Sequence, residues 1–197
     1  MARGVLIAIN ILLAALIIAV AFFWEPQQSD APIPLTQQTV GNFTLDGPSG
    51  PVSLKDYRGK LVMLYFGYTF CPDVCPTSLM LWSAALGGLT PQELGRVQPL
   101  FVSVDPERDT LPRLAEYAAF FHPSIQPATG APDLLRRIAG SYGAVFARQE
   151  NASAGGYVVD HTSVTYLIDK AGRLVASVPH GAPTDQLLAA IRQHLPQ

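Results

Sequence analysis

The sequence predicts an α/β sandwich with a central mixed sheet and a short amino-terminal hairpin, preceded by a single transmembrane helix. Three observations predict it. Two continuous apolar runs of strand length, Leu61 to Tyr68 and Val97 to Val104, alternate with segments of helical spacing. The chain closes on a hairpin followed by a helix, which makes the sheet mixed rather than all parallel. At the other end, the nineteen residues from Val5 to Phe23 hold no charge and one polar side chain, Asn10. The 197 residues divide accordingly into a membrane segment over 1–24, a linker over 25–39 and one domain over 40–197.

Composition agrees with this division. Hydrophobic residues make up 49% of the chain and charged residues 14%, well under the ~25% usual for soluble domains. The apolar excess sits at the start. Thirteen Lys and Arg against fifteen Asp and Glu give a net charge of −2, which excludes a basic nucleic-acid footprint and a charged tail. Glycine and proline are scattered in turns instead of forming a low-complexity block, so a disordered chain is excluded as well.

Taken in order, the elements have local causes. A helix over Val5–Phe23 spans roughly 28 Å, close to the ~30 Å hydrocarbon core. Arg3 and the amino terminus precede it, so the positive-inside rule places the chain after Trp24 outside the cytoplasm. Ala19-Val20-Ala21 offers a small-x-small cleavage site, the mark of a signal peptide. The apolar run continues past that site through Phe22, Phe23 and Trp24, which favours an uncleaved anchor; either way the domain is exported. No Arg- and Ser-rich transit leader is present, which points to a bacterial inner membrane with the domain in the periplasm. Glu25 to Gln38 carries three prolines and four glutamines and reads as a linker.

Within the domain, Phe43–Leu45 and Val52–Leu54 flank the turn Asp46-Gly47-Pro48, a short hairpin. Leu61–Tyr68 is a strand buried on both faces. Thr77–Leu89 has helical spacing, with Leu79, Trp82, Leu86 and Leu89 on related turns. Val97–Val104 is the second buried strand. Thr110-Leu111-Pro112 opens a helix to Phe121 with a Thr cap and a Pro in its first turn, and Ala131-Pro132-Asp133 opens another to Tyr142. Ser163–Ile168 and Leu174–Val178 form the late hairpin, and Thr184 caps a last helix to Leu195.

The chemistry concentrates in Tyr68-Thr69-Phe70-Cys71-Pro72-Asp73-Val74-Cys75-Pro76. These two cysteines are the only ones in the chain, spaced C-x-x-x-C at the carboxyl end of a buried strand, where open α/β sheets bind ligands. The helix that follows aims N–H groups at the loop, which favours thiolates. Three readings compete for the pair. A structural disulfide suits an exported protein but closes too short a loop to staple much. A redox pair, Cys71 and Cys75, carries one residue more than the usual C-x-x-C spacing. A soft-metal site uses both thiolates, selects Cu(I) or Zn, and needs a third ligand.

The best third ligand is His161, in Val159-Asp160-His161-Thr162-Ser163, just before the strand that opens the late hairpin. In a thioredoxin-like sheet the loop before that strand faces the cysteine loop. An exposed position between Asp160 and Thr162 offers partners that fix the imidazole tautomer. His122, His180 and His194 read as solvated. Asp73 reads as a turn residue bonding its own backbone. Asp105, Arg108 and Asp109 follow the second buried strand at the same sheet edge, where Asp105 serves a turn and cap or, alternatively, docking or tuning of the site. Tyr68 and Phe70 read as shielding it. A peroxidase of the peroxiredoxin type would need an arginine beside the reactive cysteine, and Cys71-Pro72-Asp73 shows none locally.

The runs GYTFCPDVCPTSL, FVSVDPERDT and VVDHTSVTYLIDKAGRL, in that order, resemble the Sco/SenC family over essentially the whole domain. The resemblance implies a thioredoxin-like three-layer sandwich that carries copper, as Cu(I) or Cu(II), on Cys71, Cys75 and His161. It also implies a role in assembling copper centre A of cytochrome c oxidase, as metallochaperone, as thiol reductase of the target cysteines, or both. The partners implied are the copper-centre subunit of that oxidase and other copper chaperones. An exported thiol–disulfide oxidoreductase without a stable metal is the alternative.

Overall fold

The structure, a computed structural model, describes residues 12–13, 41–151 and 156–196. The chain divides into two units, Met1–Ile33 and Pro34–Gln197, and the second is described below. Among the described residues no helix is long and apolar enough to cross a membrane. The run Val5–Phe23, apart from Leu12 and Leu13, and the linker 25–39 lie outside the described residues.

Strands β1 (Thr44–Gly47) and β2 (Gly50–Ser53) pair as the expected hairpin. A 3-10 turn, Leu54–Tyr57, leads to β3 (Leu61–Gly67), in which all seven residues are buried. Helix α1 (Val74–Gly87) and the short α2 (Pro91–Leu94) return the chain to β4 (Val97–Ser103). Helix α3 (Leu111–Phe121), β5 (Gln126–Ala128) and α4 (Pro132–Ser141) follow. A hairpin of β6 (Phe146–Asn151) and β7 (Gly156–His161) precedes β8 (Val164–Ile168), β9 (Leu174–Pro179) and α5 (Thr184–His194).

The central sheet has the order β5-β4-β3-β8-β9. Strands β3, β4 and β5 run parallel, while β8 is antiparallel to β3 and β9 to β8. The mixed sheet follows from chain length: helical crossovers permit parallel neighbours, and the four-residue-scale turn after Ile168 permits only an antiparallel one. Both faces are covered because β3 points its large residues alternately. Tyr65 meets Trp82 of α1 edge-on at 6.2 Å between centroids, and on the other face Phe66 meets Tyr142 at the end of α4 at 5.8 Å. Trp82 is buried, and its indole N–H donates to Thr165 of β8 at 2.8 Å, so the largest core side chain leaves no orphaned donor. Helices on both faces of a mixed sheet give the three-layer thioredoxin-like sandwich that the sequence predicts.

Several local expectations need correction. Helix α1 begins at Val74, three residues before Thr77, because Pro76 falls in the first turn, where its missing N–H has no intrahelical partner to lose. That extension puts Cys75 on the helix. Thr110 occupies the N-cap of α3 but its hydroxyl makes no cap bond, and Thr184 is the first residue of α5, behind Pro183. The capping box lies instead at Thr90 and Glu93 of α2. His161 does not sit in a loop: it ends β7, in a two-stranded sheet separate from the central one.

Candidate metal centre

Three chain segments far apart in sequence build the site. The first is the turn between β3 and α1, which carries Cys71 and Cys75. Both are free thiols, 8% and 0% exposed. The N–H of Cys75, one of the unpaired donors of the helix start, points at Cys71 Sγ at 3.4 Å. Gly67 makes room below: a Cβ there would lie 2.9 Å from Cys75 Sγ and as close to Phe101 and Tyr65. Only glycine lets the end of β3 pass under the sulfur.

The second segment is the end of β7. His161 Nε2 lies 3.2 Å from Cys75 Sγ, and one ligand atom from each of Cys71, Cys75 and His161 fits within 4.8 Å of the others. Among the described residues this is the cluster of His, Cys, Asp and Glu with a metal-sized spacing. The imidazole is half-buried rather than exposed, held edge-on by Tyr65 and Tyr68, each at 5.9 Å. Asp160 and Thr162 do not fix its tautomer. The Thr162 hydroxyl bonds the backbone of Val145, and the buried Nδ1 of His161 has no hydrogen-bond partner among the described residues. An open groove of about 390 Å³ lies against these groups, lined by Tyr68, Cys71, Pro72, Asp73 and His161 among others.

The third segment is the loop after β4. Asp109, 1% exposed, accepts the Thr69 N–H at 2.9 Å, the Thr69 hydroxyl at 2.6 Å and the Ser103 hydroxyl at 2.6 Å. Thr69 stands two residues before Cys71, so Asp109 anchors the cysteine loop to the end of β4. Arg113 adds a bond from Nε to the Thr69 hydroxyl at 2.7 Å. Asp105, 4% exposed, is more than a turn residue: it pairs with Arg108 Nε at 2.5 Å and accepts the Tyr157 hydroxyl of β7 at 2.7 Å. The acidic pair therefore serves the site by holding it together.

The two thiols are held in opposite states. Cys71 is lowered to about 3, first by the hydrogen bond that Cys75 gives it, then by His161 and by the backbone N–H groups of Asp73 and Cys75, against a contrary pull from burial. Cys75 is pushed up, by burial first and then by the charge of its neighbour. The helix start thus favours one thiolate and the interior keeps the other sulfur protonated. A thiolate, a thiol that donates to it and an imidazole form a soft donor set with which copper or zinc is compatible.

The remaining sequence readings divide. Tyr68 does shield the site, with its hydroxyl accepting the Val159 N–H at 3.2 Å, whereas Phe70 is 44% exposed and packs against Arg108 and Arg113 beside it. Asp73 caps no N–H; its carboxylate takes only a 3.4 Å contact from the Thr77 hydroxyl. His180 and His122 are not merely solvated, since they bond Ser78 at 2.9 Å and Ser124 at 2.7 Å. Thr69, Arg113, Tyr157 and Gly67 act at the site without having been singled out from sequence. Gly67 alone left a signal, as a glycine at the end of an otherwise bulky buried run.

Comparison with known proteins agrees with this geometry. The chain is 34% identical over 157 residues to the bovine mitochondrial SCO2 homologue, covering 79% of this chain and 59% of that protein, so it spans about three fifths of its relative's length. The solution structure of apo Sco1 from Thermus thermophilus is similar at a TM-score of 0.74, with 38% identity over 83% of this chain and 96% of that one. A crystal structure of Arabidopsis thaliana ScoI, which has copper bound, is similar at 0.73, with 34% identity over 80% and 98% of the two chains. The profile of the SCO1/SenC family matches residues 32–196, and this chain belongs to that family.

Proposed function

We propose that this protein is a copper-binding assembly factor that takes copper on Cys71, Cys75 and His161 and passes it on. The observation that carries the reading is the convergence of two sulfurs and an imidazole nitrogen within 4.8 Å, beside an open groove. The donor set fits copper: two thiolates and one imidazole suit Cu(I), while Cu(II) calls for a further nitrogen or oxygen ligand. The copper bound to the Arabidopsis relative supports the same assignment. Few ligands at a groove edge suit a metal in transit, because an acceptor's thiolates can replace them one at a time.

Resemblance to the family supports a finer reading. The acceptor is the copper-centre subunit of cytochrome c oxidase, and copper arrives from other chaperones. Residues 1–24 anchor the chain in a bacterial inner membrane, and the domain from residue 40 onward faces the periplasm. The low-lying Cys71 thiolate beside a protonated Cys75 also favours a thiol-reductase role, since such a pair can attack and then resolve a disulfide.

The test is anaerobic titration of reduced residues 34–197 with Cu(I) and with Cu(II), beside Cys71→Ser, Cys75→Ser and His161→Ala. One copper per chain is expected, abolished by either cysteine change and weakened by loss of the imidazole. Copper bound equally by wild type and the cysteine variants would end the metal reading and leave the redox pair.

A further inference from the structure

Among the described residues, the hairpin that carries His161 has no strand pairing with the central sheet. Besides the short link from His161 to β8, side-chain contact sets the imidazole over the sulfurs, and Arg108 makes several of those contacts. Its Nε pairs with Asp105 at 2.5 Å and its Nη1 donates to the Tyr157 carbonyl of β7 at 2.9 Å. Its guanidinium lies 3.5 Å over the Tyr157 ring and 4.8 Å over the ring of Phe70, the neighbour of Cys71. Arg148 of β6 covers Tyr157 at 3.7 Å, and Arg113 of α3 covers Phe70 at 4.0 Å. The five side chains thus alternate as Arg148, Tyr157, Arg108, Phe70 and Arg113, from the histidine hairpin to the cysteine loop. Arg108 Nη2 is buried with no hydrogen-bond partner among the described residues, and its guanidinium lies against the rings of Tyr157, Phe70 and Tyr68, which is how a guanidinium is held by π faces. Outside this ladder, the described bonds between hairpin and body include His161 Nε2 with Cys75 Sγ at 3.2 Å, the Tyr157 hydroxyl to Asp105, the Val159 N–H to the Tyr68 hydroxyl, and Arg148 to Glu107 at 3.1 Å.

We infer that Arg108 is the positioning residue of the metal centre: it clamps the β6–β7 hairpin against the cysteine loop and so fixes the distance from His161 to Cys71 and Cys75. This rests on the copper reading above. Asp109 holds the cysteine half through Thr69, and Arg108 with Asp105 holds the histidine half, so five consecutive residues set both sides of the site. Arg108 touches no metal; it acts through His161.

The experiment is a double-mutant cycle on the full chain in detergent. Wild type, Arg108→Met, His161→Ala and the double variant are compared for copper affinity by chelator competition, and for the nitrogen coupling of the Cu(II) form by electron paramagnetic resonance. Arg108→Met is expected to weaken copper roughly 10- to 100-fold, the range for residues that orient a ligand, and to diminish the nitrogen coupling toward the His161→Ala spectrum. In the His161→Ala background the same change is expected to cost nothing further. Arg108→Lys, which keeps the charge but loses the planar guanidinium that lies on Tyr157 and Phe70, runs through the same cycle if Arg108→Met does not fold, with a smaller loss in the same pattern expected. Equal losses with and without the imidazole, or an unchanged nitrogen coupling, would overturn the inference while leaving copper binding intact. A wild type that takes up no copper would overturn the metal reading itself, and the inference with it.

Discussion

Cys71 and Cys75 are unequal ligands, and the inequality has a measurable result. Cys71 is lowered to about 3 and is a thiolate at neutral pH, while Cys75, pushed up by burial and by that neighbouring charge, keeps its proton. Copper must displace that proton, so uptake near pH 7 is expected to release about one proton per metal. Calorimetry in buffers of different ionisation enthalpy reads the number directly, and a value near two would show that both sulfurs are thiols beforehand. Asp109 makes the second prediction at this scale. Its replacement by Ala strands the Thr69 N–H and Ser103 hydroxyl in the interior, which costs about 2–4 kcal/mol by urea unfolding. Burial first, and Asp105's charge after it, raise the Asp109 carboxyl above its ordinary 3.8 despite hydrogen bonds that lower it. A raised acid binds its proton more tightly folded than unfolded. Its stabilising contribution is therefore complete below pH 3.8 and is lost as pH climbs through the raised value. The stability advantage of wild type over Asp109→Asn should accordingly shrink as pH rises above 3.8 and through the raised value, and a widening gap would refute the assignment.

Among the elements, β3 bears the most on the chemistry, since it supplies Tyr65 beside the imidazole, Gly67 under Cys75 and the start of the cysteine loop. Gly67→Ala would place a methyl 2.9 Å from Cys75 Sγ in a fully buried strand. The expected cost is about 1–3 kcal/mol from overpacking, together with weaker copper binding. A wild-type unfolding midpoint in that variant would show that the strand end can yield. Strands β3 and β4 and the cysteine loop were legible because a strand buried on both faces writes a continuous apolar run. The β6–β7 hairpin was not, because Arg148, Gln149 and Glu150 are polar in succession and lie at the surface. Strand β5 is three residues with a proline, too short to show a period. His161 was legible as a ligand but not as the end of a strand. The duty of Asp109 was invisible because its partner Thr69 stands forty residues away, and spacing along the chain says nothing about a contact the fold creates.

At the scale of the molecule, the site joins residues 71–75, 105–109 and 157–161, contributed by a helix start, a strand end and a separate hairpin. Metal binding therefore ties together parts that would otherwise separate on unfolding. Ligand at a thousandfold excess over its dissociation constant contributes about 4 kcal/mol, and a domain of this size gains roughly 2–4 °C per kcal/mol. Copper should then raise the melting temperature of residues 34–197 by roughly 8–16 °C, followed through the fluorescence of buried Trp82. The His161→Ala form should gain distinctly less, because the metal then binds the cysteine loop alone and no longer ties the hairpin to it. An equal gain in both would mean that the imidazole contributes nothing to holding the metal.

The burial of the two sulfurs also imposes a sequence of events. Cys71 faces the groove and Cys75 lies sealed beneath it with no exposed surface. An incoming disulfide, on an acceptor or of a low-molecular-weight thiol, meets the Cys71 thiolate first, and attack joins Cys71 to one of its sulfurs while the other leaves as a thiolate. Any covalent adduct trapped between this protein and its client should therefore carry the linkage at Cys71, readable by peptide mass spectrometry, and Cys75 should be the sulfur that breaks it.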